Sequence, residues 1–183
     1  MLAEKVTKLR GSFESLETFF FRRSVEKAFQ LDEPSSDSGV PTTSAIDDVM
    51  FVLRKVLDRA MGTGDSSLLK AICANTRRIL ELDFAGVIRR RATLDSQRSL
   101  GKSEELGKRE KLRVYVAGLN NLDMSGENVT ALASGYIANV DPLFVFEDQV
   151  EVAKTALLNI GNLKDRFDGY LHVISAIWGE ANE

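Results

Sequence analysis

From Leu112 to Val140 the inward positions Leu112, Tyr115, Leu119, Leu122, Gly126, Val129, Ala133, Tyr136 and Val140 are spaced three and four apart without interruption. That alternation returns one side chain per turn to a single helical face and excludes a strand, whose period is two. The phase passes unbroken through Ser125-Gly126, so the spacing predicts one long helix over 104–140, weakened or kinked at the glycine, in preference to two helices with a short break. Asp141-Pro142 stops it.

The N-terminal segment carries the same signature. Leu2, Val6, Leu9, Phe13, Leu16 and Phe20 form a heptad seam, the pattern of a helix that lies along another helix. Arg23 and Lys27 stand where the seam would continue, and the apolar set resumes at Phe21, Val25, Ala28 and Phe29. The run Phe19-Phe20-Phe21 is therefore a change of face: Phe20 is expected to close one seam, Phe21 to open the next, and Phe19 to widen the contact beside Leu16. A helix inside an array, touching two neighbours, needs such a face. The competing expectation makes this an exposed apolar patch that missing parts of a longer subunit, or a partner, normally cover.

Residues 32–43 read as a loop from their proline, glycine and serine content. Ser44, with Asp47 three residues on, resembles a capping box. Ile46, Val49, Met50, Leu53, Val56, Leu57 and Ala60 then give a 3.6-residue stripe that ends at Gly62-Thr63-Gly64. Phe51 lies off that stripe among charged residues, either as a second helix contact or as a partner anchor. A third helix over about 66–91 turns Leu69, Ile72, Cys73, Thr76, Leu80, Phe84, Val87 and Ile88 inward, and a loop is expected near 93–103. The last helix, Glu147 to Trp178, carries Val150, Ala153, Leu157, Ile160, Leu163, Phe167, Tyr170, Leu171, Ile174, Ile177 and Trp178 inward, with Gly161 and Gly169 inside it. The expected fold is all-α: an elongated array of antiparallel helices, a stacked bundle of about five or six, forming a single unit over 1–183 with loops near 32–43, 62–65, 93–103 and 141–146.

Charge is segregated. Residues 77–113 carry a net +5 and the remainder −8, a basic middle in an acidic frame. Arg89, Arg90, Arg91, Lys108, Arg109, Lys111 and Arg113 are its densest parts. They read as a solvated helix end and loop, or as a contact for an acidic protein or lipid phosphates. No aromatic residue is interleaved with them to stack on bases, so nucleic acid is not an expected partner.

Chemistry is sparse. Cys73 and His172 are the only cysteine and histidine, too few for a zinc site without carboxylates brought beside them. His172 and Ser175 lack an orienting acid, and "GTGDSS" lacks the lysine and spacing of a phosphate loop. No catalytic, metal or cofactor site is expected, and the chain reads as an interaction scaffold rather than an enzyme. The single cysteine points to a reducing, cytosolic setting. The longest apolar runs fall far short of the roughly 18 residues of a membrane span, and no signal peptide is recognisable.

Three stretches carry a resemblance: "FFFRRSVEKAFQLDEP", "TTSAIDDVMFVLRKVLDRAM" and "VYVAGLNNLDMSGENVTALAS". In order, they resemble the C-terminal half of subunit 4 of the conserved oligomeric Golgi complex, over essentially Val6 to Trp178. The anchors are Ser24-Val25 to Lys27-Ala28 followed by Asp32-Glu33-Pro34; Asp47-Asp48-Val49 with Arg59-Ala60; and Leu119-Asn120-Asn121 with Glu127-Asn128. Gly126 departs from the serine expected before Glu-Asn, which puts a local helix cap in question. The resemblance implies a peripheral, cytosol-facing Golgi protein of stacked helical bundles. Such a protein holds partner subunits, SNAREs and their regulators during intra-Golgi retrograde transport. It also implies that the chain is a fragment or a truncated gene product. The alternative is a generic helical adaptor that binds an acidic protein or an anionic membrane through its basic middle.

Overall fold

The computed structural model describes residues 1–35, 41–94 and 104–181. Seven α-helices run through them: α1 (Leu2–Gln30), α2 (Ala45–Met61), α3 (Ser66–Ile79), α4 (Ala85–Leu94), α5 (Glu104–Ala138), α6 (Glu147–Gly161) and α7 (Leu163–Ala181). The all-α expectation holds, with one small addition. Within the stretch expected as loop, β1 (Pro34–Ser35) and β2 (Thr42–Thr43) form an antiparallel ladder of two residue pairs. Residues 95–103, most of another expected loop, lie outside the described residues.

The core is one continuous apolar cluster contributed by every helix, from Phe21 and Val25 of α1 to Phe167 and Ile174 of α7. Helix α3 packs against α1, α2 and α6, and α5 packs against α2, α4, α6 and α7. The stripe of α2 is buried as its period requires, except that Met50 is half-buried. Gly64, at φ +65°, supplies the left-handed backbone of the turn into α3. That helix is capped by Asp65, whose carboxylate accepts the Ser67 and Leu68 amides.

Ile72, Thr76, Leu80, Phe84, Ile88 and Ala92 are buried and stand four apart, slightly more than one α-helical turn. On a regular helix that stripe would drift around the axis. A π-helical turn at Leu80–Phe84 joins α3 to α4 and takes up the excess, so Phe84, Ile88 and Ala92 stay on the core face. Its two acidic residues reach outward, Asp83 to Arg22 of α1 (3.1 Å) and Glu81 to Arg166 of α7 (3.7 Å).

Helix α5 is unbroken across Ser125-Gly126, and there is no cap at the glycine. A Cβ on Gly126 would come within 3.3 Å of Lys164 Cγ, so the missing side chain lets α7 approach α5 closely. The last helix, by contrast, divides at Asn162. The Gly161 carbonyl accepts a hydrogen bond from Thr130 (3.1 Å), and a Cβ at Gly161 would sit 3.2 Å from Ala133 Cβ. Close packing on α5 thus fixes the point where the chain breaks.

Three further expectations are corrected. Ser44 occupies the N-cap of α2 but forms no capping bond; its hydroxyl accepts the Glu33 amide (3.1 Å), and Asp32 caps the helix instead, accepting the Ala45 amide (3.2 Å). Leu112 is exposed because it precedes the first packed turn of α5, and Ile177 because it points away from the face of α7 that packs through Ile174 and Trp178. Phe20 does not close a core seam: it is 42% exposed and lies beneath the Arg59 guanidinium, whereas Phe21 is fully buried. The packed face of α1 runs through Glu17, Phe21, Val25 and Ala28, about 100° around the helix from the heptad stripe.

Gly169 lies inside α7 with nothing within 4 Å of an added Cβ. Gly169→Ala is predicted to stabilise the fold by about 0.5–1 kcal/mol in urea unfolding, the ordinary helix-interior gain. Gly161→Ala meets Ala133 and is predicted to destabilise it.

Candidate interaction surfaces

The polar residues of the interior are spent on holding elements together. Asp32, only 7% exposed at its side chain, caps α2 with one carboxylate oxygen and pairs with Arg91 of α4 through the other (2.7 Å). Arg91 also donates to the Phe29 carbonyl at the end of α1 (3.0 Å) and lies over the Phe29 ring, which stacks on Phe84 of the π turn. Asn121 of α5 accepts the Thr43 amide (3.1 Å) and donates to the Thr43 hydroxyl, while Asn120 donates to the Pro41 carbonyl (2.8 Å). Two side chains of one helix thereby pin the β1–β2 segment to the bundle.

Glu17 is buried on the packed face of α1 and forms a bidentate pair with Arg59 of α2 (2.6 and 2.7 Å). The hydrogen bond to Glu17 raises the Arg59 guanidinium above its already high ordinary value. Asn75 of α3 donates to Glu14 and Thr18 of α1. Asp32, Asn120, Asn121 and Glu17 all escaped sequence reasoning. Asp32, Asn120 and Asn121 lie in the stretches that carry the family resemblance; a lone glutamate in an amphipathic helix gives no such signal.

The basic middle is not one patch. Arg91 serves inside the fold, and Arg89 lies over the Tyr170 ring of α7. Arg90 approaches Gly86 on its own helix. Arg109 and Arg113 are exposed on α5, and Arg113 lines a cavity of about 380 Å³ with Arg91, Phe29 and Asp32. The side chains of Lys108 and Lys111 lie outside the described residues.

The candidate aromatics separate too. Phe21 belongs to the core and is closed to any partner, because the packed face of α1 passes through it. Phe19 and Phe20 lie on the outer side of α1. Phe51 is 62% exposed beside Lys55, at the rim of a groove of about 1090 Å³ between α2 and α5. Met50, Met61, Leu132 and Leu143 supply much of its apolar lining. Across it the Tyr136 hydroxyl donates to the Asp58 carboxylate; burial first, then this bond, raises the phenol above its ordinary range.

Reactive chemistry is equally placed. Cys73 is buried in the core, and desolvation pushes its thiol up to about 12. His172 and Ser175 are both exposed on α7. Among the described residues no cluster of His, Cys, Asp and Glu could hold a metal ion, and no helix is long and apolar enough to cross a membrane.

Such a chain is a helical bundle whose buried polar groups fasten its elements together and whose outer faces include apolar grooves and stripes. It belongs to the family of the COG4 transport protein, middle alpha-helical bundle, whose profile matches residues 1–92. It is 29% identical to the conserved oligomeric Golgi complex subunit 4 of Arabidopsis thaliana over 160 residues, 86% of this chain and 21% of that protein. The subunit 4 of Mus musculus is 26% identical over 168 residues, 79% of this chain and 21% of that protein. That of Caenorhabditis elegans is 34% identical over 85 residues, 46% of this chain and 10% of that protein. The chain spans about a fifth of the length of the Arabidopsis and mouse relatives. No solved structure matches it.

At mildly alkaline pH the Cys73 thiol is predicted to resist an aromatic disulfide reagent in the native state, reacting only as fast as the bundle opens. In urea beyond the unfolding transition it should react at the rate of an ordinary thiol. Rapid native labelling would contradict its placement.

Proposed function

We propose that the chain serves as the middle helical bundle of a Golgi vesicle-tethering subunit, a non-catalytic scaffold in intra-Golgi retrograde transport. In this reading it binds partner subunits and the SNARE machinery from the cytosolic face of the Golgi, as part of a peripheral complex. The family match over residues 1–92 carries the reading. The complex and the organelle come from the chain's relatives, which are subunits 4 of the conserved oligomeric Golgi complex. The economy of the fold supports it: the buried polar groups described above have structural partners, while apolar side chains such as Phe19, Phe20 and Phe51 are left outward.

The α2–α5 groove around Phe51 is one contact surface on this account, and exposed aromatics are the residue type that anchors such interfaces. Arg109 and Arg113 of α5 offer a second, electrostatic contact for an acidic protein or lipid headgroup.

The tagged chain, expressed in cells, should co-purify the other subunits of the Golgi complex, identified by mass spectrometry. Phe51→Ala, with helix content and unfolding midpoint retained, should reduce their recovery about tenfold, as loss of an anchoring aromatic does. Recovery of none of these subunits, by a chain that is folded and expressed, would contradict the proposed function. Full recovery with Phe51→Ala would remove the groove from it.

A further inference from the structure

The cavity of about 380 Å³ lies where the end of α1, the β1–β2 ladder, α4 and α5 meet. Its walls are mainly apolar, with Phe29, Pro34, Pro41, Ile88, Val114 and Ala117 among them. Small-molecule sites span about 300–1,000 Å³ and combine such walls with a few polar groups that fix the ligand. One turn of an α-helix, about 10 Å across and about 5.4 Å long, would not fit.

The charged side chains that line it, among the described residues, are Asp32, Arg91 and Arg113. Asp32 and Arg91 offset each other: one Asp32 oxygen pairs with Arg91 (2.7 Å), the other accepts the Ala45 amide, and Arg91 also donates to the Phe29 carbonyl. Arg113 has no ion pair or hydrogen bond among the described residues, so its charge is left to the cavity. Thr42 lines the same space and is only 6% exposed, yet its hydroxyl has no hydrogen-bond partner among the described residues. A buried hydroxyl without a partner is uncommon, and an oxyanion is the acceptor that suits both a hydroxyl and a guanidinium. We propose that the cavity binds a small amphipathic anion, its oxyanion held by Arg113 and the Thr42 hydroxyl and its apolar body set against Phe29, Ile88 and Val114. The proposal goes beyond the tether reading and does not depend on which complex the chain serves.

Two fluorescent probes of nearly the same shape test it on the whole chain. Anilinonaphthalene sulfonate carries an oxyanion on an apolar aromatic body, and N-phenylnaphthylamine is the same body without the sulfonate. Arg113→Gln should weaken binding of the sulfonate about tenfold and Thr42→Val about threefold, while neither changes the affinity for the neutral amine by more than about twofold. Ala117→Phe, which fills the cavity, should abolish binding of the sulfonate; Phe51→Ala, in the separate α2–α5 groove, should leave it unchanged. Arg113 is exposed and valine has the shape of threonine, so circular dichroism and the unfolding midpoint should not fall in those two variants, and they decide the matter even where Ala117→Phe does not fold. No binding of the sulfonate, binding that survives Ala117→Phe in a folded chain, or equal losses for the two probes on Arg113→Gln would overturn the proposal. So would flotation with vesicles containing phosphatidylserine that Arg113→Gln abolishes, because the arginine would then serve a membrane surface.

Discussion

The Asp32 carboxylate is the point on which three helices meet. It closes the first turn of α2, balances Arg91 of α4, and stands two residues beyond the last turn of α1. Arg91 extends the joint by satisfying the Phe29 carbonyl, one of the acceptors a helix end leaves open, and by covering the ring that stacks on Phe84. A carboxylate this buried is costly unless paired and hydrogen-bonded, and here both of its oxygens are in use. Around it the β1–β2 ladder and the Asn120–Asn121 pair fix the crossing from α1 to α2 against α5.

This arrangement gives several of the residues behind the family resemblance a mechanical meaning. Asp32 and Arg59 each fasten one helix to another, and Asn120 and Asn121 fasten the β1–β2 segment to α5. Gly126, where the chain departs from the expected serine, sits against Lys164 of α7 in mid-helix rather than at a cap. The motifs thus describe how the bundle is held. The outer side of α1, the groove beside Phe51 and Arg109 and Arg113 of α5 take no part in holding it.

Periodicity made the helices legible: α5 as one rod through its glycine, α2 with its stripe, and the inward set of α3 and α4 down to Ile88. What it could not show was direction. Leu2 to Phe20 reads as a perfect seam, yet the bundle packs on the flank about 100° away, because the Glu17–Arg59 pair and Phe21 hold that flank. An apolar pattern reports that a face is meant to be covered, not by which element. Long-range polar contacts were invisible for the same reason: Ser44 is the better local cap, but Asp32 arrives from 13 residues away to do the work. The π turn left a trace that went unused, the strict four-residue spacing from Ile72 to Ala92.

The most direct test of the account is a double-mutant cycle on Asp32 and Arg91, read by urea unfolding. Asp32→Ala, Arg91→Ala and the double variant would be compared with the unaltered chain. A shared joint predicts a coupling energy of about 1–3 kcal/mol, with the double variant losing clearly less than the sum of the two single losses. Strict additivity would mean that Asp32 and Arg91 act separately, and would contradict the claim that this buried pair holds α1, α2 and α4 together.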